Sequence, residues 1–135
     1  MTEGRCLCGA VTVRAELGRG ISACHCEMCR RWSGGIQMGI EAPAARAEIS
    51  GPVATYASSS FAERAWCGLC GSALWLRNTH GEGSDAYEFV PGLFENAGGA
   101  RLVREVFADR CPDGYALAGD HERQKAEDYA ERTAP

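Results

Sequence analysis

Seven of the eight cysteines in this 135-residue chain fall into three tight clusters. Cys6 and Cys8 form a Cys-x-Cys, Cys24, Cys26 and Cys29 a Cys-x-Cys-x-x-Cys, and Cys67 and Cys70 a Cys-x-x-Cys. Spacings this short suit several sulfurs on one small ion. A turn aims neighbouring side chains at one point, and a tetrahedral zinc takes thiolates at about 2.3 Å. A disulfide across a single residue would strain both its Cα separation and its dihedral. The clusters therefore call for metal, with zinc as the first candidate.

The bulk numbers agree with a metal-stapled globule. The chain is 45% hydrophobic and 24% charged, a globular rather than a disordered composition. Its length suits one domain over residues 1–135. No apolar run is long enough to span a membrane. The opening Met1-Thr2-Glu3-Gly4-Arg5 lacks the apolar core of a secretory signal, so the expected compartment is the cytoplasm. Thiols stay reduced there, which again favours metal over disulfides. The formal net charge is -4, and seven thiolates on two zinc ions would take it to about -7. An acidic chain lacks the basic footprint of a general nucleic-acid binder.

Short strands are expected through most of the chain. Ala10 to Ala15 alternates, with Val11 and Val13 on one face and Thr12 and Arg14 on the other. Gly35 to Glu41 aligns Ile36, Met38 and Ile40, and Leu102 to Phe107 sets Leu102, Arg104 and Val106 against Val103, Glu105 and Phe107. Val53 to Tyr56, Ser72 to Leu76 and Tyr87 to Val90 complete the set, with glycine-bearing loops at 78–84 and 96–99. Only the end reads as helical: Asp120 is placed to cap a solvated helix over His121 to Arg132. The pattern predicts a mostly antiparallel β domain with a short C-terminal helix.

Seven ligands can be shared in two ways. In one, Cys6, Cys8, Cys67 and Cys70 close a four-thiolate structural site, leaving Cys24, Cys26 and Cys29 as a three-thiolate site. Three protein ligands and one open position is the arrangement of catalytic zinc. In the other, a four-ligand site mixes the central cluster with another pair. Cys111 is a candidate fourth ligand for the central site, or a small buried hydrophobe. His25 stands between two cluster cysteines, and its ring should point away, as a hydrogen-bond donor, a proton shuttle or an ordinary turn histidine. Arg30 and Arg31 either offset thiolate charge, hold a ligand carboxylate or sit in solvent. His80 and His121 have no motif, so exposure is the default. Trp32, Trp66 and Trp75 should pack around the metal sites, and Phe61, Phe89, Phe94 and Phe107 in the core.

Three segments together carry a family resemblance: Gly4-Arg5-Cys6-Leu7-Cys8-Gly9-Ala10-Val11, Cys24-His25-Cys26-Glu27-Met28-Cys29-Arg30-Arg31, and Trp66-Cys67-Gly68-Leu69-Cys70-Gly71-Ser72. In order and context they resemble the glutathione-dependent formaldehyde-activating enzymes, the CENP-V/GFA family, over roughly residues 4–77. The resemblance implies a mainly β fold of small antiparallel sheets held by zinc, a β-tent. It implies a structural zinc on Cys6, Cys8, Cys67 and Cys70, and a second zinc on catalytic Cys24, Cys26 and Cys29. It also implies a carbon–sulfur lyase acting on a small thiol adduct such as S-hydroxymethylglutathione. Arg30, Arg31 and His25 are then the candidates for the substrate side. A non-catalytic zinc-stabilised binding module and a redox-sensitive zinc store are the competing functions.

Overall fold

The structure, a computed structural model, describes residues 1–128. Strand β1 (Thr2–Arg5) runs into the first cysteine pair, and β2 (Thr12–Ala15) returns antiparallel to it. β3 (Gly20–Cys24) leads to the central cluster, where helix α1 (Glu27–Ser33) follows at once, and β4 (Gln37–Pro43) comes back beside β3. Then come β5 (Ala47–Ser50), β6 (Val53–Ala57), β7 (Ala62–Cys67), β8 (Ala73–Asn78), β9 (Ala86–Phe89), β10 (Arg101–Val106) and β11 (Glu122–Arg123).

Among the described residues these strands make two sheets, one in the order β1-β2-β5 and one in the order β11-β10-β3-β4-β9-β8-β7-β6. The fold is mainly β, as expected, and most pairs are antiparallel. The exceptions are β10 with β3 and β10 with β11, which run parallel. Alternation works as the sequence predicts in β2 and the residue before it: Val11 and Val13 are buried while Thr12 and Arg14 are exposed. The core forms where β2 meets β4, β7, β8, β9 and the turn at 91–94. It packs Val11, Val13, Leu74, Trp75, Phe89 and Phe94 together with the buried sulfurs of Cys6 and Cys67. Phe89 meets both Trp75 and Phe94 edge-on.

Three expectations need correction. Phe61 is 56% exposed and does not belong to the core. In β10 the alternation fails because the register against β3 shifts between Leu102 and Arg104. That bulge leaves Val103 exposed and turns Glu105 and Val106 inward in succession. The segment from His121 does not start a helix. Glu122 and Arg123 pair with Arg104 and Glu105, and the Gln124 N–H donates to the Glu105 carbonyl at 2.8 Å. A helical turn begins only at Ala126. The rest of the expected helix lies outside the described residues.

Candidate metal centres

The four cysteines of the outer pairs converge although about sixty residues separate them. β1 and β2 close a turn carrying Cys6 and Cys8, while β7 and β8 close one carrying Cys67 and Cys70. Their ligand atoms all lie within 4.8 Å of one another. Cys6 Sγ is 3.6 Å from Cys8 Sγ, which is 3.8 Å from Cys67 Sγ. A tetrahedral zinc with bonds of about 2.3 Å separates its sulfurs by about 3.8 Å, so the donor set fits that ion. All eight cysteines are free thiols.

Backbone N–H groups already point at these sulfurs. Val11 donates to Cys6 Sγ at 3.3 Å, and Leu69 and Cys70 donate to Cys67 Sγ at 3.4 and 3.5 Å. Such bonds favour the thiolate a metal needs. Ser72 ties the two turns together: its Oγ accepts from the Leu7 N–H at 3.0 Å and lies 3.1 Å from Cys70 Sγ. Hydrogen bonding to Ser72 pulls the Cys70 thiol down to about 5.

The central cluster is built differently. Cys24 ends β3, Cys26 is the N-cap of α1, and Cys29 is buried within that helix. The Cys26 sulfur accepts from the Cys29 N–H at 3.4 Å, the role a serine or aspartate oxygen plays at most helix starts. At the other end Gly34, at φ 83, closes the helix through its N–H to the Arg30 carbonyl. The expectation that only the C-terminus is helical is therefore corrected. The three ligand atoms lie within 4.8 Å of one another, and no fourth Cys, His, Asp or Glu atom joins them among the described residues. Three thiols this close cannot all ionise alone. Hydrogen bonds from Cys24 and Cys29 hold the Cys26 thiol far below its ordinary range, and the same bond to Cys26 pushes Cys24 up. A cation would replace the shared protons.

The fold thus sorts seven cysteines into a group of four and a group of three, and the mixed arrangement does not form. Cys111 stands apart, half-buried rather than buried, its thiol donating to the Tyr115 carbonyl at 3.4 Å.

His25 turns its ring away from the sulfurs, as expected, and into the protein. It is 2% exposed, and its Nε2 lies 2.6 Å from Glu105 Oε1. The other carboxylate oxygen meets His121 Nε2 and, at 3.1 Å, Arg123 Nε. The His121 ring is buried, which overturns its expected exposure, whereas His80 is exposed. Burial alone would raise the Glu105 pKa, but hydrogen bonds from His121 and His25 outweigh it and hold the carboxyl below its ordinary range.

Arg30 and Arg31 are exposed on α1, and Arg31 pairs with Glu27 at 3.1 Å. Sequence reasoning missed Arg64. This β7 residue is 3% exposed, and its Nη2 donates to Cys29 Sγ at 3.5 Å. Its guanidinium stands 5.8 Å from the ring of Trp32, which stacks on Tyr56 and tilts against Trp66. The signal available was slight, an arginine between Glu63 and Ala65 on a strand, Ala62–Cys67, that the sequence reading did not identify. Glu105 carried only a partial sign: the expected alternation grouped it with Val103 and Phe107, but the bulge leaves Val103 exposed and buries Glu105.

Comparison with known proteins agrees with this architecture. The family model for the glutathione-dependent formaldehyde-activating enzyme matches residues 1–110. An uncharacterized lyase of Schizosaccharomyces pombe is 35% identical over 120 residues, which cover 86% of this chain and 85% of that protein. A crystal structure of a Rhodobacter sphaeroides protein shares the fold with a TM-score of 0.59 at 19% identity, across 90% of this chain and 99% of that one. Family match and relative together establish that the chain belongs to the glutathione-dependent formaldehyde-activating enzyme family.

Proposed function

We propose that the protein is a zinc-dependent carbon–sulfur lyase acting on a small thiol adduct of the S-hydroxymethylglutathione type. The observation that carries this reading is the unequal sorting of sulfurs. Four converge at a site that needs no further ligand, while three converge at a site that leaves one tetrahedral position to a molecule from outside. The lyase name of the fungal relative points the same way.

Zinc at the central site would carry three thiolates and a net charge of about -1, so its contribution is to bind and orient a thiol as the thiolate rather than to act as a strong Lewis acid. The chain's own residues do the rest. Capping by Cys26 fixes the start of α1, where Cys29 comes within 4.8 Å of the Cys24 and Cys26 sulfurs. His25, locked on Glu105 and shielded from solvent, holds the turn between two ligands rather than touching a substrate. The Arg31–Glu27 pair is exposed on both sides and worth about 0.3–0.5 kcal/mol, so Arg31 is easily released to a substrate carboxylate, with Arg30 beside it. In the lyase direction the adduct's C–S bond breaks with its electron pair staying on sulfur. The adduct's hydroxyl gives its proton to solvent as the aldehyde C=O forms, so the products are a thiolate, the aldehyde and a proton.

Zinc per chain on freshly purified protein, followed by turnover of hydroxymethyl-thiol adducts, tests the reading. Two zinc ions and adduct cleavage support it. A single zinc ion with no turnover sinks it. The alternative, a binding module, rests on Leu7 and Leu69, which stand 82% and 74% exposed on the turns of the four-cysteine centre. It gains the lead if two zinc ions bind and no adduct is turned over.

A further inference from the structure

Arg64 is a buried cation whose partner is a sulfur. Among the described residues no carboxylate lies within ion-pair distance of it, and its Nε and Nη1 are buried without a hydrogen-bond partner. Burying an unpaired charge is costly enough that folded proteins almost always supply a counter-charge. The donated bond goes to Cys29 Sγ, in the three-cysteine cluster. The Glu88 carboxylate feels the Arg64 charge from beyond ion-pair distance, so the group in direct contact with the guanidinium is the sulfur cluster, and Arg64 favours its anionic form. A dication on three thiolates supplies that form with a charge of about -1, as does a single Cys26 thiolate before metal binds, whereas three neutral thiols do not.

The same arithmetic bears on what the open position accepts. A neutral fourth ligand would leave the centre at about -1, whereas an incoming thiolate would take it to about -2 in a partly buried site. A fixed cation against one of the sulfurs offsets that second charge. Arg64 is well held for the task. β7 fixes its backbone beside Tyr56 of β6, and α1 brings both Cys29 and Trp32 against its guanidinium.

We propose, on the reading of the central cluster as an open zinc centre, that Arg64 sets the charge of that centre and thereby selects an anionic thiol as the fourth ligand. It is a positioning residue: it acts through Cys29 and the local field.

The test uses the full chain loaded with cobalt(II), whose absorption spectrum reports each ligand entering the central site. The probes are 2-mercaptoethanol, which sheds its proton to solvent and binds as the thiolate, and imidazole, which binds neutral. Arg64→Met keeps an apolar stem against Trp32 and removes the charge, while Arg64→Lys keeps the charge. The Met variant should bind 2-mercaptoethanol about tenfold to a hundredfold more weakly and leave imidazole affinity nearly unchanged, with the Lys variant closer to wild type. Equal losses for both probes, or wild-type thiol affinity in Arg64→Met, would overturn the role of Arg64 while leaving the open centre intact. A wild-type chain whose cobalt spectrum ignores both probes would overturn the open centre and this role together. Should neither variant fold, nitrogen NMR of the wild-type arginines decides. The Arg64 guanidinium resonances must move when 2-mercaptoethanol is added to zinc-loaded protein, and fixed resonances overturn the proposal.

Discussion

Single residues separate the two centres most sharply, because cysteines of identical chemistry do different structural work. Cys26 caps α1, and serine is among the best N-cap residues, so Cys26→Ser should hold the helix start while weakening the central site. The expected result is a fold within about 1 kcal/mol of wild type and adduct turnover reduced to background. Cys67 is fully buried in the core and accepts two backbone N–H groups, so Cys67→Ser should lose cooperative folding. Melting curves and zinc counts on the two variants check both halves, and equal unfolding would refute the division of labour. Glu105 adds a pH dependence. Its folded pKa lies below the ordinary carboxylate value, so its contribution to stability is complete above that value and lost as pH falls through the folded pKa. Glu105→Gln should therefore cost about 1–3 kcal/mol near neutral pH by leaving buried histidine donors poorly paired. Denaturant titrations should show the gap from wild type narrowing on the acid side. A gap that stays constant with pH would mean that His25 and His121 are held by packing alone.

At the level of elements, the sequence was most informative where one face is buried and least where a metal or a partner strand sets the conformation. β2 was legible because Val11 and Val13 alternate with Thr12 and Arg14. β6, β8, β9 and β10 were found within a residue or two, β6 from the Gly51-Pro52 turn before it and β10 in spite of the bulge that breaks its alternation. α1 was not legible: seven residues, an N-cap made by a thiol, and Cys29 as its one buried side chain give no helical apolar period. β11 was missed because its two residues are held by backbone pairing to Arg104 and Glu105, not by side-chain pattern. The three cysteine clusters were legible, since spacing within each is a local property, but the joining of the 6–8 pair to the 67–70 pair was one of two open arrangements, and only the family resemblance implied it. The contacts of Arg64 and Glu105 were not legible, because both join elements far apart in the chain. The turn between β5 and β6 gives a direct test of how tightly elements are set. Gly51 has φ 116, and a Cβ there would stand 2.1 Å from the Ala10 carbonyl oxygen. Gly51→Ala should destabilise by at least about 2 kcal/mol, read as a fall in melting temperature of several degrees. A melting temperature equal to wild type would show that the β2–β5 edge gives way easily.

For the whole molecule, the position of each centre in the chain determines what its metal does for the fold. The four-cysteine group joins the 6–8 turn, beside the β1-β2-β5 sheet, to the 67–70 turn of the larger sheet, and two of its sulfurs are core residues. Losing that metal would remove the clamp between sheets and leave two unligated sulfurs in the core. The three-cysteine group spans only residues 24–29, between β3 and α1, and β3 stays paired with β4 and β10 without it. Its three protein ligands should also hold an ion less tightly than four. A chelator titration should therefore release zinc in two steps. The first ion should leave with little change in far-ultraviolet circular dichroism, ending any adduct turnover. The second should leave only as the chain unfolds, so its release and the loss of circular dichroism should share one midpoint. Adding zinc after the first step should restore activity at once, whereas recovery after the second requires refolding. Simultaneous release of both ions would show that the two centres form one cooperative unit, and then Arg64, on the strand that ends at Cys67 and bonded to Cys29 of the central cluster, would be the first connection to cut.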